Sequence, residues 1–245
     1  MEFYEREAEV YDDVRFSSLV GGLVNAIQKD IVTRLCDFND GDFVLDVGTG
    51  TGRFAVELAK SGATVVGLDP SKSMIKIARK KSIQRGVYRN VNLVIADAHK
   101  LPFKKSSFQC CISINVLNHI RDYKSVLVEI GSVLKEKGWL VANFSNMQGL
   151  YLPVAVFVNS CKRALFSDVY SRWFTLNEVK KSLFKVGLRV EDVEGFFVLI
   201  LPSFLQRFSC VTVHIIRKMN ALFSSSVFKY LSGSLFVKSQ KIFGE

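Results

Sequence analysis

The sequence predicts an α/β protein built on a doubly wound, mostly parallel sheet with helices on both faces. Three observations carry that expectation. The apolar run Phe43 to Val47 contains Asp46 near its end, Gly48, Gly50 and Gly52 alternate directly after it, and Arg53-Phe54 open an amphipathic segment. That is a strand, a tight turn and a helix N-terminus, with glycines where the backbone must pass close to a ligand. A second apolar run, Thr64 to Leu68, closes on Asp69, 21 residues after Gly48. An acid at the tip of the second strand is placed to take the two hydroxyls of a ribose. Further strand-like runs then alternate with helical periods, the pattern of repeated β–α–β units.

Taken in order, residues 2–13 read as helix with Tyr11-Asp12-Asp13 at its end. Over residues 17–38, Leu19, Val20, Leu23, Val24, Ile27, Ile31, Val32 and Leu35 recur at helical spacing. Asn39 to Asp42 is a turn, strand one spans 43–48, and the helix 51–61 stops at Gly62. Strand two is 64–69, and Pro70-Ser71 starts a helix to about residue 85. Strands three, four and five are expected at 92–97, 108–115 and 139–145, with a helix near 122–136. Thr175-Leu176-Asn177-Glu178 matches a capping box, and its helix ends at Val186-Gly187. Leu188 to Leu201 supplies strand six and Ser234 to Lys241 strand seven.

Composition bounds the rest. The 245 residues are 49% hydrophobic, enough for one domain with a sizeable core. No apolar run approaches the length of a spanning helix, and the acidic start Glu2 to Glu7 is unlike a signal peptide. Five cysteines, with no metal-ligand or redox spacing, fit core packing in a reducing, cytoplasmic compartment; no metal site is expected. The net charge of +10 is uneven: residues 1–146 carry 20 Lys and Arg against 17 Asp and Glu, residues 147–245 carry 13 against 6. The basic back part also holds 12 of the 20 phenylalanines, which suits either an anionic partner such as a membrane surface or a simply solvated face.

The turn itself narrows the ligand. Its glycine spacing is G-x-G-x-G rather than the dinucleotide G-x-G-x-x-G, and Asp46 would repel a pyrophosphate but suit an ammonium group. These residues, with Asp69, the strand Asn92 to Asp97 and the following Leu101-Pro102-Phe103, resemble the class I S-adenosylmethionine-dependent methyltransferases of the methyltransferase-11 type. The resemblance covers about residues 40–146 and implies a Rossmann-like, seven-stranded sheet of order 3-2-1-4-5-7-6 with strand seven antiparallel. It implies one methyltransferase domain over 1–245, with substrate or lid additions at 1–38, 146–173 and 202–233.

The resemblance also assigns roles. Asp46, Gly48, Gly50 and Gly52 would hold the methionine part of S-adenosyl-L-methionine, Asp69 the ribose, Met74 the adenine face, and Asp97 with the Ala98 amide the adenine edge. Asn115 would end strand four beside the sulfonium, and Tyr11 would close over the cofactor or simply pack. His119, just past strand four, is the catalytic candidate, as a general base or a structural imidazole. The expected acceptor is a small molecule or a lipid-linked one, with peripheral membrane contact through the basic, aromatic back part. Asn115-Val116-Leu117-Asn118 lacks the Pro-Pro-aromatic tip that grips a flipped base, so nucleic acid is the disfavoured acceptor. A non-catalytic S-adenosylmethionine-binding protein is the other alternative. In the last addition, Phe204, Phe208, Val211, Ile215 and Leu222 approximate one helical face, expected to face the core over the cleft rather than a lipid surface.

Overall fold

The structure is a computed structural model that describes residues 2–149, 170–197, 209–225 and 227–242. Its helices are α1 (Glu2–Glu7), α2 (Tyr11–Phe16), α3 (Leu19–Leu35), α4 (Arg53–Lys60), α5 (Lys72–Gln84), α6 (Tyr123–Val133), α7 (Leu176–Phe184) and α8 (Ser209–Ser225). Its strands are β1 (Phe43–Val47), β2 (Thr64–Asp69), β3 (Val91–Ile95), β4 (Phe108–Ser113), β5 (Leu134–Ser145), β6 (Leu188–Phe196) and β7 (Ser234–Lys241).

The strands form one seven-stranded sheet in the order β3-β2-β1-β4-β5-β7-β6, with β7 antiparallel to both its neighbours. The other pairings, β1 with β2 and β4, β2 with β3, and β4 with β5, are parallel. This is the Rossmann-like arrangement expected from the sequence. Successive strand residues point to opposite faces, so each face has its own core. Leu45, Cys111 and Leu140 join one cluster with α6 and α7; Val44, Cys110 and Val141 join the other with α3 and α4. Cys110 and Cys111 are buried as packing residues, Cys110 with its Sγ 3.7 Å from that of Cys36.

Local chemistry explains the helix starts. Ser18, Ser71, Asp122 and Thr175 each accept a backbone N–H from the first turn of α3, α5, α6 and α7. The Thr175 cap is one-sided, because the Glu178 carboxylate turns to Arg172 and the Tyr123 hydroxyl instead of back to the cap.

Besides the helix expected over 2–13, which is two, α1 and α2, with Tyr11 opening the second, three expectations need correction. β5 begins at Leu134 rather than Trp139, but an irregularity at Lys137 (φ +59°) and Gly138 separates the Leu134 pairing from the regular ladder that starts at Trp139. β4 stops at Ser113, because Asn115 takes a left-handed φ of +61°. The third concerns α8. Val211, Ile215 and Leu222 are 59%, 41% and 47% exposed, while Thr212, Ile216, Asn220 and Phe223 face inward. The inward face tolerates a buried Asn because Asn220 accepts from the Phe197 N–H and donates to the Phe197 and Ile216 carbonyls. Phe204, Phe208 and most of the 146–173 addition lie outside the described residues. Among the described residues no helix is long and apolar enough to cross a membrane.

Candidate active site

The sheet reverses its winding between β1 and β4, and ligands of open sheets bind beyond the strand tips at such a point. A cavity of about 300 Å³ lies there. Of the site residues expected from the sequence, Tyr11, Gly48, Gly50, Asp69, Met74, Asp97, Ala98, Asn115 and His119 line it; Asp46 and Gly52 do not. A wider hollow of about 770 Å³, reaching Leu188 at the N-terminal end of β6, shares no lining residue with it.

The turn is pinned to β2 by two bonds to the Leu68 carbonyl, from Gly48 N at 2.7 Å and Thr49 N at 2.9 Å. At Gly50 (φ +53°) a β-carbon would meet no protein atom within 4 Å, so the backbone presents an open cradle to the cavity. Gly52 instead touches α5. Asp46 sits beneath the turn, 1% exposed, and accepts a 2.7 Å bond from the Thr49 hydroxyl. It supports the loop from below rather than facing a ligand.

Burial pushes the Asp46 carboxyl up to about 7, with the nearby Asp69 charge adding to the rise and the Thr49 bond opposing it. A carboxyl that binds its proton more tightly when folded is stabilising below its unfolded value of 3.8 relative to its state above 7; stability drains away as pH rises between them. Thermal unfolding of Asp46→Asn is therefore expected to depend less on pH than the wild type between about pH 5 and 7. An unchanged slope would contradict the buried, protonatable assignment.

Asp69 spans the turn: Oδ2 accepts from Gly50 N and Oδ1 from Ser71 N, both at 2.9 Å. Burial raises its pKa, and the two amide bonds oppose that rise. Asp97 is more exposed. Its Oδ1 accepts from the His99 backbone N–H and lies 2.7 Å from His99 Nδ1, contacts that hold its carboxyl below the usual range. Beyond β4, the Asn115 and Asn143 side chains lock together: Asn143 Nδ2 donates to Asn115 Oδ1 at 2.9 Å, and Asn115 N donates to Asn143 Oδ1 at 2.6 Å.

The N-terminal helices cover the cleft. Glu5 accepts from the Lys72 and Ser73 amides at the start of α5. Asp12 accepts from the Thr51 hydroxyl and pairs with Lys81. These contacts bring Tyr4 and Tyr11 into the cavity wall, and burial pushes the Tyr4 phenol up to about 12.

His119 Nδ1 lies 2.8 Å from the Tyr170 carbonyl oxygen, which can only accept. Nδ1 therefore carries the hydrogen, and in the neutral ring Nε2 keeps its lone pair. Burial lowers its pKa, with the Tyr170 bond opposing, so the ring is neutral at pH 7.

Sequence reasoning left Arg53 out of the site. Arg53 lines the cavity, and its guanidinium lies over the Phe16 and Phe54 rings and donates to the neutral oxygens of Asn25 and Gln28. Burial brings its pKa down to about 10, and among the described residues no carboxylate forms an ion pair with it. The readable signal is position. A cation at the first residue of a helix opposes the macrodipole, so something else must hold it there. Tyr4, Thr49 and Ile120 carry no comparable signal.

Comparison with known proteins gives a family model, full-length and partial relatives, and a shared fold. Residues 45–142 match the family model of a methyltransferase domain. The chain is 29% identical over 246 residues to an uncharacterised protein of Methanocaldococcus jannaschii, covering 89% of this chain and 90% of that one. It is 31% identical to the ubiquinone/menaquinone biosynthesis C-methyltransferase of Teredinibacter turnerae, over 62% of this chain and 64% of that enzyme, just under two thirds of its length. Its fold matches a Thermotoga maritima S-adenosylmethionine-dependent methyltransferase, described as a possible histamine N-methyltransferase, with a TM-score of 0.68 at 22% identity, over 98% of this chain and 99% of that one.

Proposed function

We propose that this chain is a class I S-adenosylmethionine-dependent methyltransferase that moves a methyl group onto a small-molecule or lipid-linked acceptor. The observation that carries the reading is the cavity's polarity. A half-buried acid at Asp69, an open backbone cradle at Gly50 and the half-buried Arg53 line one space. That donor set fits an adenosyl amino acid: hydroxyls for the carboxylate and a carboxylate for the guanidinium.

When bound, S-adenosylmethionine supplies a methyl on a positive sulfur that departs as a neutral thioether. The chain's own part is to bind, align and exclude water. In this reading Asp69 takes the ribose hydroxyls and Arg53 the amino-acid carboxylate. Met74 and Leu68 pack on the adenine, whose edge meets Asp97 and the Ala98 amide. Asp46 works one layer down, steadying Thr49. Tyr4 and Tyr11 close the cleft against water, and Asn115, held by Asn143, fixes the backbone at the reacting end. Alignment of this kind is worth on the order of 7–11 kcal/mol. His119 Nε2 takes the proton released by the acceptor.

Incubation with labelled S-adenosylmethionine and either membrane extract or soluble metabolites tests the acceptor class, with label expected in an organic-phase product. No such product from any membrane extract would overturn the lipid-linked version. His119→Gln is expected to lower kcat by about 10²–10⁴ with S-adenosylhomocysteine affinity kept. Because burial lowers the His119 pKa, the wild-type rate is expected to hold from pH 8 to below the ordinary imidazole value and then fall as the ring protonates. An undiminished kcat in the variant would make His119 structural.

A further inference from the structure

The outer face of α8 is unlike the rest of the surface. Val211, Ile215 and Leu222 repeat along it at helical spacing, and all three are exposed. His214, Arg217 and Lys218 share the exposed arc, so an apolar stripe runs beside a basic one. The inner face packs against α3, β6 and the short helix Val227–Leu231, so the helix is held by its other side and the stripe is left outward. That short helix exposes Phe228 and Tyr230 as well.

We propose that this face is a docking surface for an anionic lipid bilayer. Charge selects the occupant. α8 and the short helix together carry Arg217, Lys218 and Lys229 and no Asp or Glu. A second copy of so basic a face would bring like charges together, which opposes self-association. An aqueous polar ligand would leave the apolar stripe unused. A membrane interface takes both at once: aliphatic side chains enter the boundary of the acyl region, and the cations stay at the phosphates. Docking deepens the lipid-linked reading above. It rests on that reading only for what the bound enzyme does at the surface, and its test uses no acceptor.

The measurement is co-sedimentation of the full chain with vesicles of phosphatidylcholine, with and without phosphatidylglycerol. Binding is expected to the anionic vesicles, to weaken with salt, and to be at least about tenfold weaker to neutral ones. Ile215→Asp with Leu222→Asp removes the stripe, and Arg217→Glu with Lys218→Glu reverses the charge at two exposed positions. Each pair is expected to reduce vesicle binding by about tenfold or more, with S-adenosylhomocysteine affinity unchanged as the control for folding. If the first pair unfolds the protein, the second still decides. Absence of binding to anionic vesicles, or equal binding by the charge-reversed variant, would overturn the proposal. So would a stable dimer in solution, lost in either variant, without vesicle binding. Retained vesicle binding with no methyl transfer to any lipid would leave docking standing and remove the lipid-linked reading of the acceptor.

Discussion

Asp69→Ala is expected to weaken S-adenosylhomocysteine binding by on the order of a hundredfold or more. The carboxylate does two jobs at one turn. It accepts the Gly50 and Ser71 amides, which fixes the glycine loop against the start of α5, and its remaining lone pairs face the cavity. Hydrogen bonds to a charged group are worth about 1.5–3 kcal/mol each, so losing two to a ribose costs at least about 3 kcal/mol. That is roughly a factor of a hundred in affinity. The orphaned amides add a stability loss, so the melting temperature should fall in the same variant. Asp69→Asn keeps one acceptor oxygen and should lie between. Calorimetric titration reads both variants, and wild-type affinity in Asp69→Ala would remove the residue from the site.

A large effect on stability is expected from Gly52→Ala. Gly52 has φ +73°, and a β-carbon there would stand 2.9 Å from Ala78 Cβ and 3.1 Å from Ala78 Cα in α5. The left-handed backbone costs a side-chain-bearing residue about 1–2 kcal/mol. Overpacking two helices costs about 1–3 kcal/mol more. Together these lower the melting temperature by roughly 5–15 °C in a domain of this size. Adding Ala78→Gly should relieve the clash and leave the backbone strain, so the double variant recovers only part of the loss. Gly50→Ala is the contrast. Nothing of the protein lies within 4 Å of that β-carbon, so stability changes little beyond the backbone term while the ligand cradle is filled. Equal stability of Gly52→Ala and the wild type would contradict the packing role.

Much of this was legible in the sequence because the signals are local. The glycine turn, the acids closing successive strands and the alternation of periods give strand order once the family is recognised, and the observed order β3-β2-β1-β4-β5-β7-β6 is the expected one. What was not legible depends on partners far along the chain. Asp46 looks like a ligand-facing acid until Thr49 and the overlying turn bury it. His119 gains a defined tautomer only from the Tyr170 carbonyl, 51 residues away. Arg53 becomes part of the cavity through Asn25 and Gln28 of α3, a helix that periodicity could locate but not dock. On α8, apolar spacing marked a real face, but the inward side was won by Asn220 completing the hydrogen bonds of Phe197. Periodicity finds a face; it does not say which way the face turns.

The most direct single measurement is a crystal structure of the chain with S-adenosylhomocysteine. The expected result is ribose hydroxyls on the Asp69 carboxylate and the amino-acid carboxylate on the Arg53 guanidinium, with the thioether directed toward His119. A nucleoside bound away from Asp69, or a diphosphate accommodated over Gly50 in preference to this ligand, would contradict it.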